Sequence, residues 1–405
     1  MWTHRNPMKT ILFACALVIS SQIPGIVLNI LQYTQRNQIL RLEYLARSSS
    51  IDDIWNERIH LIRKGCSVSA GNYSIMHNQT KSYFILAAKH NLTICKVAKS
   101  GSTLWSILAL VLENRQKVDG IFNKRRSSVH GKLHNILAIV KKAPAHFSTT
   151  NVVISRDPYT RIFSAYIDRC FLLRLPIDSP GFVESISKGE YMTEVGKCGF
   201  IVTFHDFVDK ITRDGLNGKY IDPHWCPVYN LCRLCQMDYH VAMKQETLTR
   251  DTEHILQRLN ISSDLRIKLV KEIRGSGTAK MVDGLIKELY FYNSLSKWMN
   301  THCNDSIAFA VRLWEAFKIQ GYMRSNISFP FMEFKEKDSF DVKTIVEAVL
   351  VAMNTNPLSN EEKVSQRRQA LVKAYEGMPR RVIAKIQAMY QMDFVLFGYD
   401  INPPS

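Results

Sequence analysis

The stretch of sequence that decides the fold is Asn151-Val152-Val153-Ile154-Ser155-Arg156-Asp157-Pro158-Tyr159-Thr160-Arg161-Ile162-Phe163-Ser164-Ala165-Tyr166. Its first five residues are mostly β-branched or small, which predicts a buried strand. Asp157 is a typical helix N-cap and Pro158 favours the first helical position, so a helix is predicted to begin there. The strand therefore delivers Arg156 to a helix N-terminus, where unpaired backbone N–H groups favour an anion and a guanidinium can hold phosphate oxygens. The alternative is an ordinary strand-to-helix turn with a surface arginine, and Ser164, two helical turns later, adds a hydroxyl donor to the first interpretation.

A second loop of the same kind precedes this stretch. Apolar runs at 83–88 and 92–97 predict two strands, and an apolar segment at 104–112 predicts a helix. The loop between the second strand and the helix reads Ala98-Lys99-Ser100-Gly101-Ser102-Thr103. Backbone N–H groups of such a Gly/Ser loop cradle phosphate or sulfate, Lys99 adds a mobile positive charge, and the Ser and Thr side chains add hydroxyls. Two such loops in one chain favour the phosphate interpretation of both.

The order of residues in this loop argues against an ATP-dependent kinase or ATPase. A Walker loop requires G-x-x-x-x-G-K-[ST], with the lysine after the second glycine. Here Lys99 precedes Gly101, and Lys96 occupies the place of the first glycine. A nucleotide kinase or another phosphotransferase is therefore kept only as an alternative.

The chain is basic: its 405 residues include 53 Lys and Arg against 36 Asp and Glu, a formal net charge of +17. One large α/β domain with extensions, or two domains, would fit this length. The charge indicates an anionic partner, such as a nucleic acid, acidic lipid headgroups, a nucleotide or an acidic polysaccharide. A basic strip at 117–142 is either a solvated face or a contact for a sulfated or uronate-bearing chain. His130 and His134 lie within it, but no carboxylate stands between them as in a zinc helix motif, and no metal site is predicted.

The N-terminal segment predicts entry into the secretory pathway. A short basic tail, residues 1–10, precedes an apolar run at 11–31 that is about long enough to span a bilayer. We favour a signal-anchor transmembrane segment over a cleaved signal peptide, because apolarity resumes after Pro24. Either interpretation places the rest of the chain in the secretory lumen. Residues 32–80 are predicted to form a lumenal stem that is helical at 38–46 and 55–63; the alternative is that they form the first part of the globular domain.

Glycosylation sequons and cysteines agree with a lumenal location. Six Asn-x-Ser/Thr sequons occur, at Asn72, Asn78, Asn91, Asn260, Asn304 and Asn326. An even number of cysteines follows the apolar run: Cys66, Cys95, Cys170, Cys198, Cys226, Cys232, Cys235 and Cys303. Cys232 and Cys235 form a CxxC pair, which invites a zinc or redox interpretation. No second CxxC pair occurs and the lumen is oxidising, so we favour structural disulfides for this pair and leave the connectivity open.

Four segments of the chain resemble motifs of one enzyme family. They are Cys95-Lys96-Val97-Ala98-Lys99-Ser100-Gly101-Ser102-Thr103-Leu104-Trp105; Arg156 to Tyr166; His224-Trp225-Cys226-Pro227 to Cys235, followed by Lys244-Gln245-Glu246-Thr247-Leu248; and Met392 to Tyr399. In this order they are similar to the 5′-phosphosulfate loop, the 3′-phosphate motif, the H-W-x-P segment with K-x-E-T-L, and the terminal D-F-x-x-F-G-Y of Golgi carbohydrate sulfotransferases. The branch they resemble includes the HNK-1 and chondroitin/dermatan 4-O-sulfotransferases. The chain departs from these patterns at Ala98, Leu104 and Leu234, where the family has Pro, Asn and Pro.

The resemblance implies a single P-loop-like α/β sulfotransferase domain with a central, mainly parallel sheet. The sulfate donor would be 3′-phosphoadenosine 5′-phosphosulfate (PAPS), bound where strands end and helices begin. The implied donor-binding residues are Lys99, Ser100, Gly101, Ser102 and Thr103 at the 5′ end and Arg156, Arg161 and Ser164 at the 3′-phosphate, with Lys99 also catalytic. The core would span 81–300, and a helical extension of the same domain would span 301–405, with helices predicted at 361–375 and 379–390.

A general base must accept the proton of the acceptor hydroxyl, and a histidine that titrates near neutrality suits this task. His224 lies in a matched motif and is the predicted catalytic base. His130 and His134 in the basic strip are alternatives, and so is a structural role for His224 beside Trp225. No metal is required, because the cations already present can neutralise the transferring group.

The sequence thus predicts sulfuryl transfer from PAPS to a glycan hydroxyl, with a chondroitin-like or another acidic or amino-sugar chain as acceptor and no nucleic acid partner. The implied location is the Golgi membrane, as a single-pass type II protein with a lumenal catalytic domain. The alternative is a non-catalytic glycosaminoglycan-binding protein that kept the fold. Ala98 and Leu104 favour that alternative, whereas Lys99, Arg156 and Ser164 favour activity.

Overall fold

The computed structural model describes residues 50–69, 81–140, 149–172, 182, 202–275, 278–295, 306–335 and 341–405. The chain divides into two compact units, Met1–Glu57 and Arg58–Ser405. Of the first unit, the described part is the beginning of helix α1 (Ile51–Ser69), which confirms the helix predicted at 55–63. The predicted tail, membrane anchor and helix at 38–46 lie outside the described residues. Within the described part of the chain, no helix has both the length and the apolar character needed to cross a bilayer.

A five-stranded sheet forms the centre of the second unit, in the order β3-β1-β2-β4-β5. The strands are β1 (Ser82–Ala87), β2 (Leu92–Cys95), β3 (Leu137–Val140), β4 (Thr150–Ser155) and β5 (Val241–Lys244). Strand β4 pairs in parallel with both β2 and β5, and β1 runs antiparallel to its two neighbours, β2 and β3. Four of the five described strands therefore point in one direction, which confirms the mainly parallel sheet.

Helices account for most of the remaining described residues. They are α2 (Ser102–Leu112), α3 (Arg126–Gly131), α4 (Pro158–Tyr166), α5 (Phe204–Leu216), α6 (Val228–Leu231), α7 (Leu248–Arg258), α8 (Ser263–Gly275), α9 (Thr278–Leu295), α10 (Ser306–Ile319), α11 (Phe331–Lys335), α12 (Val342–Thr355), α13 (Asn360–Tyr375), α14 (Arg380–Met389) and α15 (Gln391–Phe397). Helices α13 and α14 confirm the two predicted near the C-terminus. Short 3₁₀ turns and one π-helical turn also occur: Ala88–His90, Ile121–Asn123, Lys132–Asn135, Gln245–Thr247 and, as the π-helical turn, Ile167–Phe171.

Helix α4 begins as the sequence predicts. The Asp157 side chain accepts a hydrogen bond of 2.9 Å from the Thr160 backbone N–H, and Pro158 occupies the first turn. The strand before it is buried from Asn151 onward, and Val152, Val153 and Ile154 are at most 2% exposed. Burial of each such side chain contributes about 1.5–3 kcal/mol. Local capping and core packing therefore fix the position of this strand-to-helix turn.

The C-terminal helices pack on α4. The Tyr375 hydroxyl at the end of α13 donates to the Tyr159 carbonyl oxygen over 2.9 Å, and the Tyr159 hydroxyl donates to the Ile401 carbonyl oxygen over 2.6 Å. The two tyrosine rings meet edge to face, with centroids 5.2 Å apart. The last residues of the chain are thus anchored on the helix that follows the central strand.

Two disulfides connect the sheet and α1 to the segment after α6. They are Cys66–Cys235 and Cys95–Cys232, so each cysteine of the CxxC pair bonds a different distant partner. This confirms the structural interpretation of that pair. The sequence separations are 169 and 137 residues, for which the chain-entropy model gives a stabilisation of roughly 4–5 kcal/mol each.

Candidate functional site

The candidate site lies at the carboxyl ends of β2, β4 and β5. These strands are parallel neighbours, so the loops that follow them emerge at the same edge of the sheet. The loops are 96–101, 156–157 and 245–247. The first two belong to the two phosphate loops that the sequence predicts, and the sheet topology brings them side by side.

The loop after β2 turns sharply into α2. Lys99 and Gly101 both have positive φ, 67° and 81°. The positive φ favours glycine at position 101, where a Cβ would also lie 2.5 Å from Leu248 Cδ2, at the end of a flexible side chain. Helix α2 begins at Ser102, and the N–H groups of its first turn have no partner within the helix. The predicted strand, Gly/Ser loop and helix are confirmed.

Within this loop, Ser100 differs from its neighbours. Its hydroxyl is buried and has no hydrogen-bond partner among the described residues, and its backbone N–H donates to the Val97 carbonyl oxygen over 3.3 Å. Ser102 and Thr103 are partly exposed at the start of α2. The groups that this loop offers to an anion are therefore the Lys99 ammonium and the start of α2, and the Ser100 side chain is buried within the loop.

Lys99 is the most strongly perturbed basic group of the site. Its Nζ lies 2.9 Å from Asp168 Oδ2, and the two side chains are 14% and 13% exposed. Burial lowers the pKa of Lys99 to about 8, an effect that the Asp168 carboxylate opposes and that Arg126 and Arg156 reinforce. Asp168 was missed by the sequence analysis, although it lies only four residues after Ser164.

Arg156 joins the two phosphate loops. Its Nη1 donates to the Lys99 carbonyl oxygen over 2.9 Å, and its Nε donates to Thr160 Oγ1 over 3.2 Å. Burial lowers the pKa of Arg156, but a guanidinium retains its charge at physiological pH. The predicted 3′-phosphate residue thus holds the backbone of the predicted 5′-loop residue directly.

Arg161 is buried between two loops of the site. It is 1% exposed, and its Nε, Nη1 and Nη2 donate to the carbonyl oxygens of Ala98, Cys226 and Pro223 over 3.1, 2.6 and 3.0 Å. The guanidinium therefore braces two loops, and its predicted contact with the donor stays a prediction. Ser164 is half-buried on the same helix.

The third and fourth matched segments meet beside Arg156. Glu246, in the 3₁₀ turn after β5, accepts the Asp157 backbone N–H over 3.0 Å and the Tyr399 hydroxyl over 3.1 Å. The Tyr399 hydroxyl also lies 3.0 Å from Ser155 Oγ at the end of β4. Burial and the Glu246 carboxylate raise the pKa of Asp157 to about 6, although hydrogen bonds from Thr160 oppose this shift. Of these residues, the sequence predicted a role only for Asp157, as the N-cap of α4.

His224 is paired with a carboxylate. Its Nδ1 lies 2.6 Å from Asp222 Oδ1, and the same oxygen accepts the His224 backbone N–H over 2.8 Å. Burial alone would raise the pKa of Asp222, but the hydrogen bonds and charge of His224 bring it below its ordinary value. A carboxylate at Nδ1 fixes the tautomer with the proton on Nδ1 and leaves Nε2 as an acceptor. Because Arg161 holds the carbonyl oxygens of Pro223 and Ala98, the loops that carry His224 and Lys99 are tied to one guanidinium.

The other two candidate histidines differ in position. His130 lies beside the start of α2, with its Nε2 3.4 Å from Thr103 Oγ1 and its Nδ1 3.5 Å from Ser106 Oγ. His134 is exposed, and its Nδ1 lies 3.3 Å from the Gly131 carbonyl oxygen of its own segment. Of the three, His224 combines a carboxylate partner with attachment to the Lys99 loop.

The residues fit a ligand that carries two separated anionic groups. The Lys99 ammonium and the start of α2 suit one anion, and the Arg156 guanidinium at the N-terminus of α4 suits another. Both cationic side chains are largely buried, a setting in which charge-assisted contacts to an anion are strong. The two anion sites lie at adjacent parallel strands, as one extended ligand would require.

Comparisons with known proteins agree with this arrangement. A sequence model described as "Sulfotransferase family" matches residues 82–279, the part that contains both phosphate loops and His224. The chain is 24% identical over 209 residues to carbohydrate sulfotransferase 11 of Danio rerio, covering 49% of this chain and 59% of that protein. It is 25% identical to carbohydrate sulfotransferase 10 of Rattus norvegicus, covering 51% and 62%, and 25% identical to carbohydrate sulfotransferase 9 of Homo sapiens, covering 56% and 52%.

These matches span less than two thirds of each of the three relatives. No solved structure matches the chain significantly. The family match nonetheless includes the strands and loops that form the site. Over residues 82–279 the chain is similar to the sulfotransferase family, and the relatives that it resembles are carbohydrate sulfotransferases.

Proposed function

We propose that this protein transfers a sulfuryl group from PAPS to a hydroxyl of a glycan. The observation that carries the proposal is the hydrogen bond from Arg156 to the Lys99 carbonyl oxygen, which couples two anion-binding loops at adjacent strands. PAPS has one anionic group for each loop, a 5′-phosphosulfate and a 3′-phosphate. The relatives, all named carbohydrate sulfotransferases, support a glycan as the acceptor.

Lys99 and the start of α2 would hold the 5′ end of the donor. Sulfuryl transfer breaks the bond between sulfur and the bridging oxygen, which gains negative charge as the bond to the acceptor oxygen forms. The Lys99 ammonium would stabilise this charge in a largely buried setting, where electrostatic stabilisation is strongest. Arg156 would hold the 3′-phosphate and thereby align the donor with the acceptor.

His224 would accept the proton of the acceptor hydroxyl at Nε2. Asp222 supports this role because its carboxylate holds Nδ1–H and stabilises the imidazolium that forms. Arg161 would keep the His224 and Lys99 loops at a fixed separation through their backbone carbonyl groups. The loop of the proton acceptor His224 and the loop of Lys99, the cation at the leaving group, are thus hydrogen-bonded to the same Arg161 guanidinium.

A chondroitin-like or another acidic chain is the acceptor that we propose. The net charge of +17 favours an acidic polysaccharide, because it raises the local concentration of polyanions and speeds their association. The location that we propose is the Golgi membrane, with the N-terminal segment as a type II anchor. The two disulfides support an oxidising compartment.

The proposal is tested by sulfate transfer from labelled PAPS with the full-length protein. Desulfated chondroitin, heparosan and a glucuronyl-lactosamine acceptor are offered side by side, with excess ATP as a competitor. We expect transfer to at least one acceptor, no competition by ATP, and loss of transfer in Lys99→Ala. The matched control is Lys96→Ala in the same loop, since the Lys96 ammonium lies 5.9 Å from the Tyr83 ring centre and has no proposed role. Glycan binding without any transfer would overturn the proposal in favour of a non-catalytic binding protein.

A further inference from the structure

Asp168 bridges two cations at the edge of the site. It lies in the π-helical turn Ile167–Phe171 that follows α4. One carboxylate oxygen, Oδ2, lies 2.9 Å from Lys99 Nζ, and the other, Oδ1, lies 3.0 Å from Arg126 Nη2. A carboxylate that uses each oxygen for a different cation has a defined position relative to both.

The site concentrates positive charge around Lys99. Arg126 and Arg156 both act electrostatically on the Lys99 ammonium and disfavour its protonated form, and burial acts in the same direction. Asp168 is the carboxylate that opposes these effects, by its charge and by a direct hydrogen bond. An ammonium in such a setting, without a carboxylate beside it, would lose its proton at a lower pH.

Arg126, which binds Asp168, is itself held by a second carboxylate. The Arg126 backbone N–H donates to Glu288 Oε2 over 2.9 Å, and Glu288 is 1% exposed on α9. Most of α9 lies beyond residue 279, where the match to the family model ends. Lys99, Asp168, Arg126 and Glu288 thus form one continuous chain of contacts from the phosphate loop to a helix outside the matched segment.

We propose that Asp168 is the positioning residue of Lys99, which it keeps protonated and directed at the phosphate loop until the donor arrives. On binding, the ammonium hydrogen bond passes from the Asp168 carboxylate to the bridging oxygen of the donor, and Arg126 retains the carboxylate. No bond to Asp168 forms or breaks other than hydrogen bonds. The catalytic part of this role rests on the proposed function, whereas the effect on the charge of Lys99 belongs to the protein without donor.

The direct test measures the titration of Lys99 in the full-length protein without donor. Competitive labelling of lysine amines by acetic anhydride at pH values from 6 to 11, read by peptide mass spectrometry, gives the pH midpoint of Lys99. In Asp168→Asn we expect this midpoint to fall by about one pH unit or more, the effect typical of losing an adjacent opposite charge. Asp168→Glu should restore part of the shift, and Asp264→Asn, at the exposed start of α8, should leave the midpoint unchanged.

A second variant, Arg126→Gln, should shift the Lys99 titration midpoint in the opposite direction. Arg126→Gln removes a cation that faces Lys99 and that also binds Asp168, so the Lys99 midpoint should rise. This result keeps the proposal testable even if Asp168→Asn does not fold. An unchanged Lys99 midpoint in either folded variant would overturn the proposal, whatever the enzyme activity.

The catalytic consequence is read from the pH profile of kcat/KM for PAPS. The basic limb of the profile should move to lower pH in Asp168→Asn by the same amount as the labelling midpoint, with near wild-type rates at pH 6. In Lys99→Arg the limb should disappear, because a guanidinium does not titrate in this range. A shifted labelling midpoint with no sulfate transfer in any variant would leave the positioning role intact and refute only the proposed function.

Discussion

The Nε of Arg161 donates a hydrogen bond of 3.1 Å to the carbonyl oxygen of Ala98, the residue before Lys99. The family that the chain resembles has proline at this position, and its loss raises the question of how the loop stays rigid. A backbone carbonyl is present whichever residue stands there, so the guanidinium can hold the loop without the proline ring. Arg161 also holds Pro223 and Cys226, and one buried side chain thus fixes both loops of the site.

We expect Arg161→Lys to destabilise the protein by about 3 kcal/mol, because an ammonium cannot reproduce three hydrogen bonds in a planar fork and charge-assisted bonds contribute about 1.5–3 kcal/mol each. Transfer activity should fall together with stability, because both loops lose the hydrogen bonds from Arg161. Urea denaturation measures the change in unfolding free energy. The matched control is Arg381→Lys on the exposed side of α14, which should change stability by less than about 0.5 kcal/mol. Equal stability of the two variants would contradict the bracing role.

Substitution of Lys99 should mainly affect catalysis, whereas substitution of Arg156 should mainly affect donor and product binding. Lys99→Ala should depress kcat more than the affinity for 3′-phosphoadenosine 5′-phosphate, the desulfated product, because the ammonium acts on charge that develops in the transition state. Arg156→Ala should weaken product binding by about 1.5–3 kcal/mol, the range for a charge-assisted hydrogen bond. Titration calorimetry with the product, beside kcat and KM from the transfer assay, measures both effects. The reverse pattern would refute the assignment of the two roles.

The parts of the site that sequence predicted are those set by local chemistry. Asp157 and Pro158 start a helix through contacts within four residues, and Gly101 permits a positive φ that other residues rarely adopt. The contacts of Asp168 and Arg161 could not be predicted in the same way, because they join residues that are far apart in the sequence. The carboxylate of Asp168 meets Lys99 only because β2 and β4 are neighbours, and the burial of Arg161 depends on a loop more than 60 residues away along the chain.

His224 and Asp222 should act as a pair. His224→Ala should lower kcat by roughly 10²–10⁴-fold, the usual contribution of a positioned general base. Asp222→Asn should lower kcat by less, because the imidazole remains but loses the carboxylate that fixes its tautomer. His134→Ala is the matched control on an exposed histidine and should retain activity. If His130→Ala abolished transfer while His224→Ala retained it, the base would instead be His130, beside Thr103.

Asp157 should make stability depend on pH. Its pKa in the folded protein is raised to about 6, above the ordinary value of 3.8, so the folded state binds this proton more tightly than the unfolded state does. Ionisation of Asp157 therefore costs stability as the pH rises from about 4 to about 6. Asp157→Asn keeps the helix cap, since asparagine caps as well as aspartate, and removes the ionisable group. The unfolding free energy of Asp157→Asn, relative to wild type, should rise across this pH range and stay constant above it, as urea denaturation at several pH values would show. Asp157→Ser, a second cap that cannot ionise, should follow the same trend. If the difference in unfolding free energy between each variant and wild type did not change with pH, Asp157 would titrate in the folded protein as it does in the unfolded chain.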